Sequence, residues 1–187
     1  LVTLIDLVNA YGMIVNGGKK IYPKFIKSIY SKDGKKIYDN SNKKCKNCNL
    51  DIIDDVLELP TLSNTLEEVL DSKIAYQITS MMKGVIERGT AKRLKDLTIP
   101  LAGKTGTTND NMDAWFLGFS PEYVVGVFVG YDAPKSLGDE ETGGKVAAPI
   151  FAEFMKKALD QRENRPFLVP EGIEMIKIDY LSGKKAI

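Results

Sequence analysis

Gly103-Lys104-Thr105-Gly106-Thr107-Thr108 runs into Asn109-Asp110-Asn111, and Asp113-Ala114-Trp115-Phe116 opens the next apolar segment. Read outward from there, residues 99–108 have strand character and 109–111 form a turn. Ala114 to Phe119 makes a second strand, Ser120-Pro121-Glu122 a second turn, and Tyr123 to Tyr131 a third strand. Parallel neighbours need a crossover of a dozen residues or more, so connections this short make the three strands antiparallel neighbours. In the third strand Val125, Val127, Val129 and Tyr131 alternate with Val124, Gly126, Phe128 and Gly130, which leaves both faces apolar and calls for cover on both sides. Gly126 and Gly130 leave room for a helix to come close to one face, and the helix expected there is the last one, Ala147 to Leu159. Phe151, Phe154, Met155, Ala158 and Leu159 give that helix its apolar side. The fold class is α/β layered, of the α+β type, with an antiparallel meander flanked by helices.

Further upstream, Thr3 and Asp6 resemble a capping box, followed by Leu4, Leu7, Val8, Tyr11, Ile14 and Val15 at helical spacing and a stop at Asn16-Gly17-Gly18. Ile21 to Tyr30 and Lys36 to Tyr38 are rich in β-formers, and Asp33-Gly34 between them signals a hairpin. Residues 39–50 are polar and read as a surface insertion. A second helix is expected over Ile74 to Arg88, with Ile74, Ile78, Met81, Met82 and Val85 on its inner face and the methionines filling core. Residues 161–170 read as a polar linker bounded by proline, and 171–187 as a trailing segment with a turn at Ser182-Gly183. The expected organisation is one domain portion over 1–160 followed by linker and tail over 161–187.

A 187-residue chain with 43% hydrophobic and 27% charged residues has the composition of a soluble globular protein, with length for one ordinary domain. Lys and Arg number 26 against 25 acidic residues, so no broad basic surface speaks for nucleic acid, and the Lys-rich stretch 32–46 reads as a solvated hairpin and loop. No apolar run reaches the roughly 18–20 residues that span a bilayer, and no signal peptide opens the chain. Leu1 leads directly into a helical pattern, which reads as a fragment.

The chain has no histidine, which excludes Ser-His-Asp and Cys-His catalysis and histidine metal ligation. No metal site and no cofactor is expected. Cys45 and Cys48 form a C-x-x-C in a Lys/Asn-rich loop; zinc would need two further ligands, and a local disulfide is open in an oxidising compartment.

Gly103-Lys104-Thr105 also matches the end of a phosphate-binding loop, but the first glycine of that motif would fall at Thr98, and a strand follows where a helix is required. As an isolated triplet, Lys104-Thr105-Gly106 is compatible with an ordinary edge strand carrying an exposed lysine. It is also one of three motifs that build the site of serine β-lactamases and penicillin-binding proteins, the others being S-x-x-K and S-D-N. S-x-x-K occurs at Ser41/Lys44, Ser80/Lys83 and Ser182/Lys185, and S-x-N nowhere. Ser41 lies in the polar insertion, Ser182 at a tail turn, and Ser80 inside the second helix, where packing is its expected role. None qualifies as the nucleophile.

The run from Gly103 to Asp132, continued through Ser136-Leu137-Gly138 and Glu141-Thr142-Gly143-Gly144-Lys145-Val146-Ala147-Ala148-Pro149-Ile150-Phe151, closely resembles class A penicillin-binding proteins, the bifunctional peptidoglycan synthases. Met82 to Ala91 is similar to the helix and G-T-A turn before the motif strand of that family, and Leu4 to Gly18 to an earlier helix. Val169 to Ile173 is similar to the tail after its transpeptidase domain. The resemblance covers most of residues 1–160 and is weakest over 39–70.

That resemblance implies a penicillin-binding and β-lactamase-like transpeptidase fold. It implies a D,D-transpeptidase of cell-wall biogenesis that cross-links peptidoglycan stem peptides ending in D-Ala-D-Ala and is acylated by β-lactams. Lys104 and Thr107 are the implied catalytic residues, Lys104 by charge and Thr107 by an oxyanion-hole amide. Thr105, Gly106 and Thr107 are the implied substrate-binding residues, the two hydroxyls taking the substrate carboxylate and Gly106 leaving room for the acyl group. Asp113 and Trp115 read as supports of the neighbouring strand. The implied partners are the stem peptide, β-lactams and the remainder of the transpeptidase domain, and the implied location is periplasmic or on the extracytoplasmic face of the cytoplasmic membrane. With the nucleophile and S-x-N outside the chain, the expectation is one wall of an active site, inactive alone. The competing expectation is a non-catalytic remnant that binds peptidoglycan or a partner protein.

Overall fold

The computed structural model describes residues 2–40, 43–46, 61–64, 66–160, 164–179 and 181–186. They divide into two compact units, Leu1–Gly18 with Leu70–Ile187, and Lys19–Val69.

In the first unit, helix α1 spans Leu4–Val15 and starts on the expected box: the Thr3 hydroxyl accepts the Asp6 N–H, and the Asp6 carboxylate accepts the Thr3 N–H. It ends on Gly17 and Gly18 at φ 69° and 82°, with the Gly18 N–H reaching the Met13 carbonyl and the Gly17 N–H that of Ile14. This is a Schellman ending, and it needs left-handed backbone. A Cβ on Gly18 would lie 1.8 Å from the Leu70 carbonyl oxygen, so no other residue fits there.

Helix α2 spans Ser72–Glu87. It begins two residues earlier than the spacing predicts because Asp71 caps it, accepting the N–H groups of Lys73 and Ile74. Its buried stripe is Ala75, Thr79, Met82 and Ile86, one residue round from the predicted one. Ile74 and Met81 are exposed, so of the methionine pair only Met82 fills core. Two apolar stripes overlap on this helix, and periodicity alone does not choose between them. Thr79 tolerates burial because its hydroxyl donates to the Ala75 carbonyl.

Strands β5 (Ala102–Thr107), β6 (Ala114–Phe119) and β7 (Val124–Val129) form the antiparallel meander in the order β5-β6-β7. Gly103 stands opposite Gly118. A Cβ on Gly103 would meet the Phe116 ring and the Leu117 carbonyl, and one on Gly118 would meet the rings of Phe116 and Phe151. This glycine pair opens the groove that Phe116 and Phe151 fill, with centroids 4.8 Å apart. Helix α3, Ala147–Ala158, brings Phe151 down onto that face, where Ala147, Ala148, Phe151 and Met155 are fully buried with Ile86, Leu94 and Leu101.

The other face of the sheet carries Ala102, Phe119 and Val124, packed with Met82, Tyr11, Val15 and Phe167. Here the structure corrects the sequence reading: the helix that comes close over Gly126 is α1, not α3. A Cβ on Gly126 would lie 2.7 Å from Leu4 Cδ1 and from Val8 Cγ2. A Cβ on Gly130 would meet Asp113 Oδ1 and the Phe128 ring, so its nearest neighbours come from the sheet and its turn and not from a helix. Residues 164–170 have no regular structure, yet Phe167 packs edge-on against Phe119 and the Asn164 amide donates to the Thr98 carbonyl.

In the second unit, β1 (Ser28–Tyr30) and β2 (Lys36–Asp39) form the expected hairpin, with Gly34 at φ 78°. The first strand is shorter than predicted and begins only at Ser28. Strand β3, Lys43–Lys46, pairs antiparallel with β4, Thr61–Asn64, inside what the sequence marks as polar insertion. Ser41, Cys48 and the Cys45 side chain lie outside the described residues. Among the described residues no helix is long and apolar enough to cross a membrane.

Candidate active site

Strand β5 has β6 on one side and no partner strand on the other among the described residues. An edge strand offers every second N–H and C=O to whatever lies alongside. The Thr105 carbonyl accepts the Lys104 ammonium at 2.7 Å, which marks it as turned out of the ladder. By alternation the N–H of Thr107 points to the same open side.

The side chains of the motif do not share a face. Residues opposite one another in register lie on the same side of the sheet. Thr105 pairs with Phe116 and Thr107 with Ala114, on the α3 face; Lys104 pairs with Leu117 and Gly106 with Trp115, on the α1 face. Lys104 and Thr107 are exposed, Thr105 and Gly106 half-buried. The motif therefore straddles the sheet edge, with hydroxyls on one side and ammonium on the other. Gly106 has a packing reason of its own: a Cβ there would come within 3.1 Å of Trp115 Cβ. Trp115 in turn stacks at 4.5 Å on Phe128, so it supports the strand as expected.

The two hydroxyls are each held from the same direction. Thr105 Oγ1 lies 2.8 Å from Thr90 Oγ1, and Thr107 Oγ1 accepts the N–H of Gly143 at 3.1 Å. Gly143 is buried, and a Cβ on it would lie 2.2 Å from the Trp115 carbonyl oxygen and 2.4 Å from that of Gly106. A Cβ on Gly144 would lie 2.6 Å from the Thr90 carbonyl oxygen. Two consecutive glycines thus let the loop before α3 lie flat on the motif strand. A cleft of about 340 Å³ opens beside it, lined by Thr90, Lys92, Arg93, Thr142, Gly144 and Lys145, with Lys145 paired to Glu141 at 3.0 Å.

The turn that ends the motif is closed by Thr108. Its hydroxyl accepts the Asp113 N–H at 2.8 Å and its own N–H reaches the Asp113 carbonyl at 3.1 Å. Asp110 and Asn111 between them take left-handed φ of 57° and 50°, a conformation Asn and Asp tolerate better than other side chains.

The serines set aside on sequence grounds have other surroundings. Ser80 is exposed on α2 and does not pack, which corrects the role expected for it. Lys83, its would-be partner, lies 3.9 Å from Glu87. Ser182 donates to Asp179 in an exposed turn. Sequence reasoning did not assign roles to Thr90 or Gly143; the only signal was that both fall inside motif-like runs, Gly89-Thr90-Ala91 and Thr142-Gly143-Gly144.

Comparison with known proteins follows the same lines. The family model described as the penicillin binding protein transpeptidase domain matches residues 1–156. Penicillin-binding protein 1A of Rickettsia typhi is 44% identical over 185 residues, covering 97% of this chain and 23% of that protein. The chain thus spans about a quarter of the length of such curated relatives. The crystal structure of penicillin-binding protein 1A from Haemophilus influenzae superposes with a TM-score of 0.79 at 25% identity, over 99% of this chain and 30% of that one. PonA1 of Mycobacterium tuberculosis, solved in complex with penicillin V, superposes with a TM-score of 0.67 at 23% identity, over 88% of this chain and 40% of that one.

Proposed function

The chain belongs to the family of penicillin-binding protein transpeptidase domains, and from that premise we propose that it forms one wall of a serine-type D,D-transpeptidase site. The observation that carries the proposal is the open edge of β5, where an outward N–H at Thr107 stands beside two anchored threonine hydroxyls. The nucleophilic serine and the S-x-N motif belong, on this reading, to a segment outside these 187 residues.

An extended stem peptide ending in D-Ala-D-Ala pairs along the edge as an added strand, which brings its penultimate carbonyl to the Thr107 amide. Attack by the serine oxygen places negative charge on that carbonyl oxygen. One preorganised N–H donor at such a position is worth about 3 kcal/mol of transition-state stabilisation. The hydroxyls of Thr105 and Thr107 hold the terminal carboxylate, and the Lys104 ammonium adds positive charge across the edge. Collapse of the tetrahedral intermediate breaks the peptide bond and releases the terminal D-alanine. The acyl group stays on serine until an amine from a second stem peptide takes it. A β-lactam enters by the same route, its carboxylate on the threonines and its carbonyl at the amide, and its ring nitrogen is the leaving group. PonA1, a structural relative, was solved with penicillin V, which supports this ligand class. The compartment implied is the one that holds peptidoglycan, outside the cytoplasmic membrane.

The test is acylation of the full-length protein by a penicillin, read as a second-order rate constant. Lys104→Ala and Thr105→Ala should each lower it by about tenfold or more, since hydrogen bonds and ion pairs to a charged ligand are each worth about 1.5–3 kcal/mol. Unchanged rates in both variants would remove β5 from the site.

A further inference from the structure

The cleft of about 340 Å³ beside the motif strand has no part in the acylation step described above. One of its walls is the turn Lys92–Leu94, which is fixed from both sides. Ala91 and Leu94 are buried in the core, and the Ala91 N–H reaches the Val85 carbonyl at 3.1 Å. Lys92 and Arg93 between them are exposed and line the cleft. The other wall is the loop from Thr142 to Lys145, tied to the start of α3 by the Thr142 carbonyl, which accepts the N–H groups of Lys145 and Val146. Both walls reach the motif strand: Thr90 Oγ1 lies 2.8 Å from Thr105 Oγ1, and a Cβ on Gly144 would lie 3.5 Å from Thr105 Cγ2.

Three of the seven lining residues are cations and none is an acid, so the cleft carries one sign of charge. Lys145 is engaged by Glu141 at 3.0 Å, whereas among the described residues no carboxylate pairs with Lys92 or Arg93. A concave surface lined by one sign of charge concentrates ligands of the other.

The second half of the reaction says what must come to this place. The terminal D-alanine leaves the acyl carbon as an amine, and the acceptor amine approaches that carbon from the position the leaving amine vacated. Its nitrogen bonds the acyl carbon, the bond to the serine oxygen breaks, and the amine proton passes to that oxygen. The side chain of D-alanine is a single methyl and needs no further room. An acceptor amine on a stem peptide brings a chain with it, and that chain must run on past Thr105.

We propose that this cleft is the acceptor subsite, and that Lys92 and Arg93 select acceptors whose chain carries a carboxylate beyond the reacting amine. The proposal rests on the transpeptidase reading above, and it supplies residues for the half-reaction that reading leaves without any.

The experiment follows transfer by the full-length protein from an acyl-D-alanyl thioester to two acceptors, D-2-aminopimelate and its side-chain amide, with product measured by mass spectrometry. The two acceptors have nearly the same shape and differ in charge at the far end. The wild type should prefer the acid by about three- to tenfold in kcat/KM, because two exposed cations screened by water each contribute modestly. In the double variant Lys92→Gln with Arg93→Gln the ratio should fall to near one. With Lys92→Glu and Arg93→Glu it should reverse, and D-lysine should become the better acceptor. Both residues are exposed, so neither pair of changes touches the core, and a ratio taken within one protein cancels a general loss of activity. A wild-type ratio of one, or a preference that survives the glutamine changes, overturns the proposal. Penicillin acylation of the wild type is measured alongside. Its absence defeats the transpeptidase reading and this assignment with it, whereas normal acylation with an acceptor ratio of one defeats this assignment alone.

Discussion

The Gly103–Gly118 pair and the ring of Phe151 hold the motif strand and α3 together, and a double-mutant cycle at that point tests the packing in detail. Phe151 is fully buried against Phe116. Phe151→Ala removes a whole ring from a close-packed layer, and buried Phe→Ala changes cost about 3–5 kcal/mol. Gly118→Ala does the opposite. Its new Cβ would lie 2.6 Å from Phe116 Cε1 and 2.8 Å from Phe151 Cε2 and Cζ, so rings on both sides must shift. Overpacking of this kind costs about 1–3 kcal/mol. In the double variant the added methyl occupies part of the space the Phe151 ring leaves, and Phe116 gains room to relax. The combined loss should then fall short of the sum by about 1–2 kcal/mol, the coupling expected of residues in contact. Urea unfolding of the dilute chain, followed by the fluorescence of Trp115, its one tryptophan, gives the four stabilities. Losses that add to within about 0.5 kcal/mol, or a Gly118→Ala protein as stable as wild type, would refute the groove-filling account.

Other consequences follow from single contacts. Gly126→Ala presses on Leu4 Cδ1 and Val8 Cγ2, flexible ends that can give, so it should cost about 1 kcal/mol and loosen α1; hydrogen exchange of α1 amides reads the loosening. The Asp6 carboxyl is held below its ordinary value of 3.8 by the Thr3 hydroxyl first and the Thr3 N–H second. Its folded value being depressed, its contribution to stability is present above the unfolded value and lost as pH falls through the folded one; a carbon-detected NMR titration should place the Asp6 midpoint under that of Thr3→Ala. Strand β7 has no partner on its outer side among the described residues, and Leu4 and Ile5 of the adjoining helix, with Val2 just before it, are exposed. The isolated chain should therefore associate through this edge, and a monodisperse monomer in sedimentation velocity would count against it.

Much of this was open to reading because local and global signals agree. The turns at Asn109-Asp110-Asn111 and Ser120-Pro121-Glu122 leave no topology but a meander, and Thr3/Asp6 with Gly17-Gly18 brackets α1 from both ends. What stayed hidden lacked a periodic signature. Strand β3 is Lys43-Lys44-Cys45-Lys46, with no alternation to mark it. On α2, Ile74/Ile78/Met81/Val85 and Ala75/Thr79/Met82/Ile86 are both plausible inner faces, and only the packed sheet selects the second. Which helix lies over Gly126 is a question of side, and alternation says that two faces exist without saying which element covers each. The proposed site could be put forward from sequence because Lys104-Thr105-Gly106-Thr107 is contiguous on one strand. Thr90 and Gly143 reach it from 15 and 36 residues away, a juxtaposition no local pattern encodes.

The central claim is that β5 is one wall of a penicillin-reactive site whose nucleophile lies on another segment. Fluorescent-penicillin labelling of this chain and of the full-length protein, read by intact mass, tests it most directly. The account predicts one covalent adduct on the full-length protein and none on the chain. Labelling of the chain alone, with Ser80 as the first serine to map, or no labelling of either protein, would contradict it.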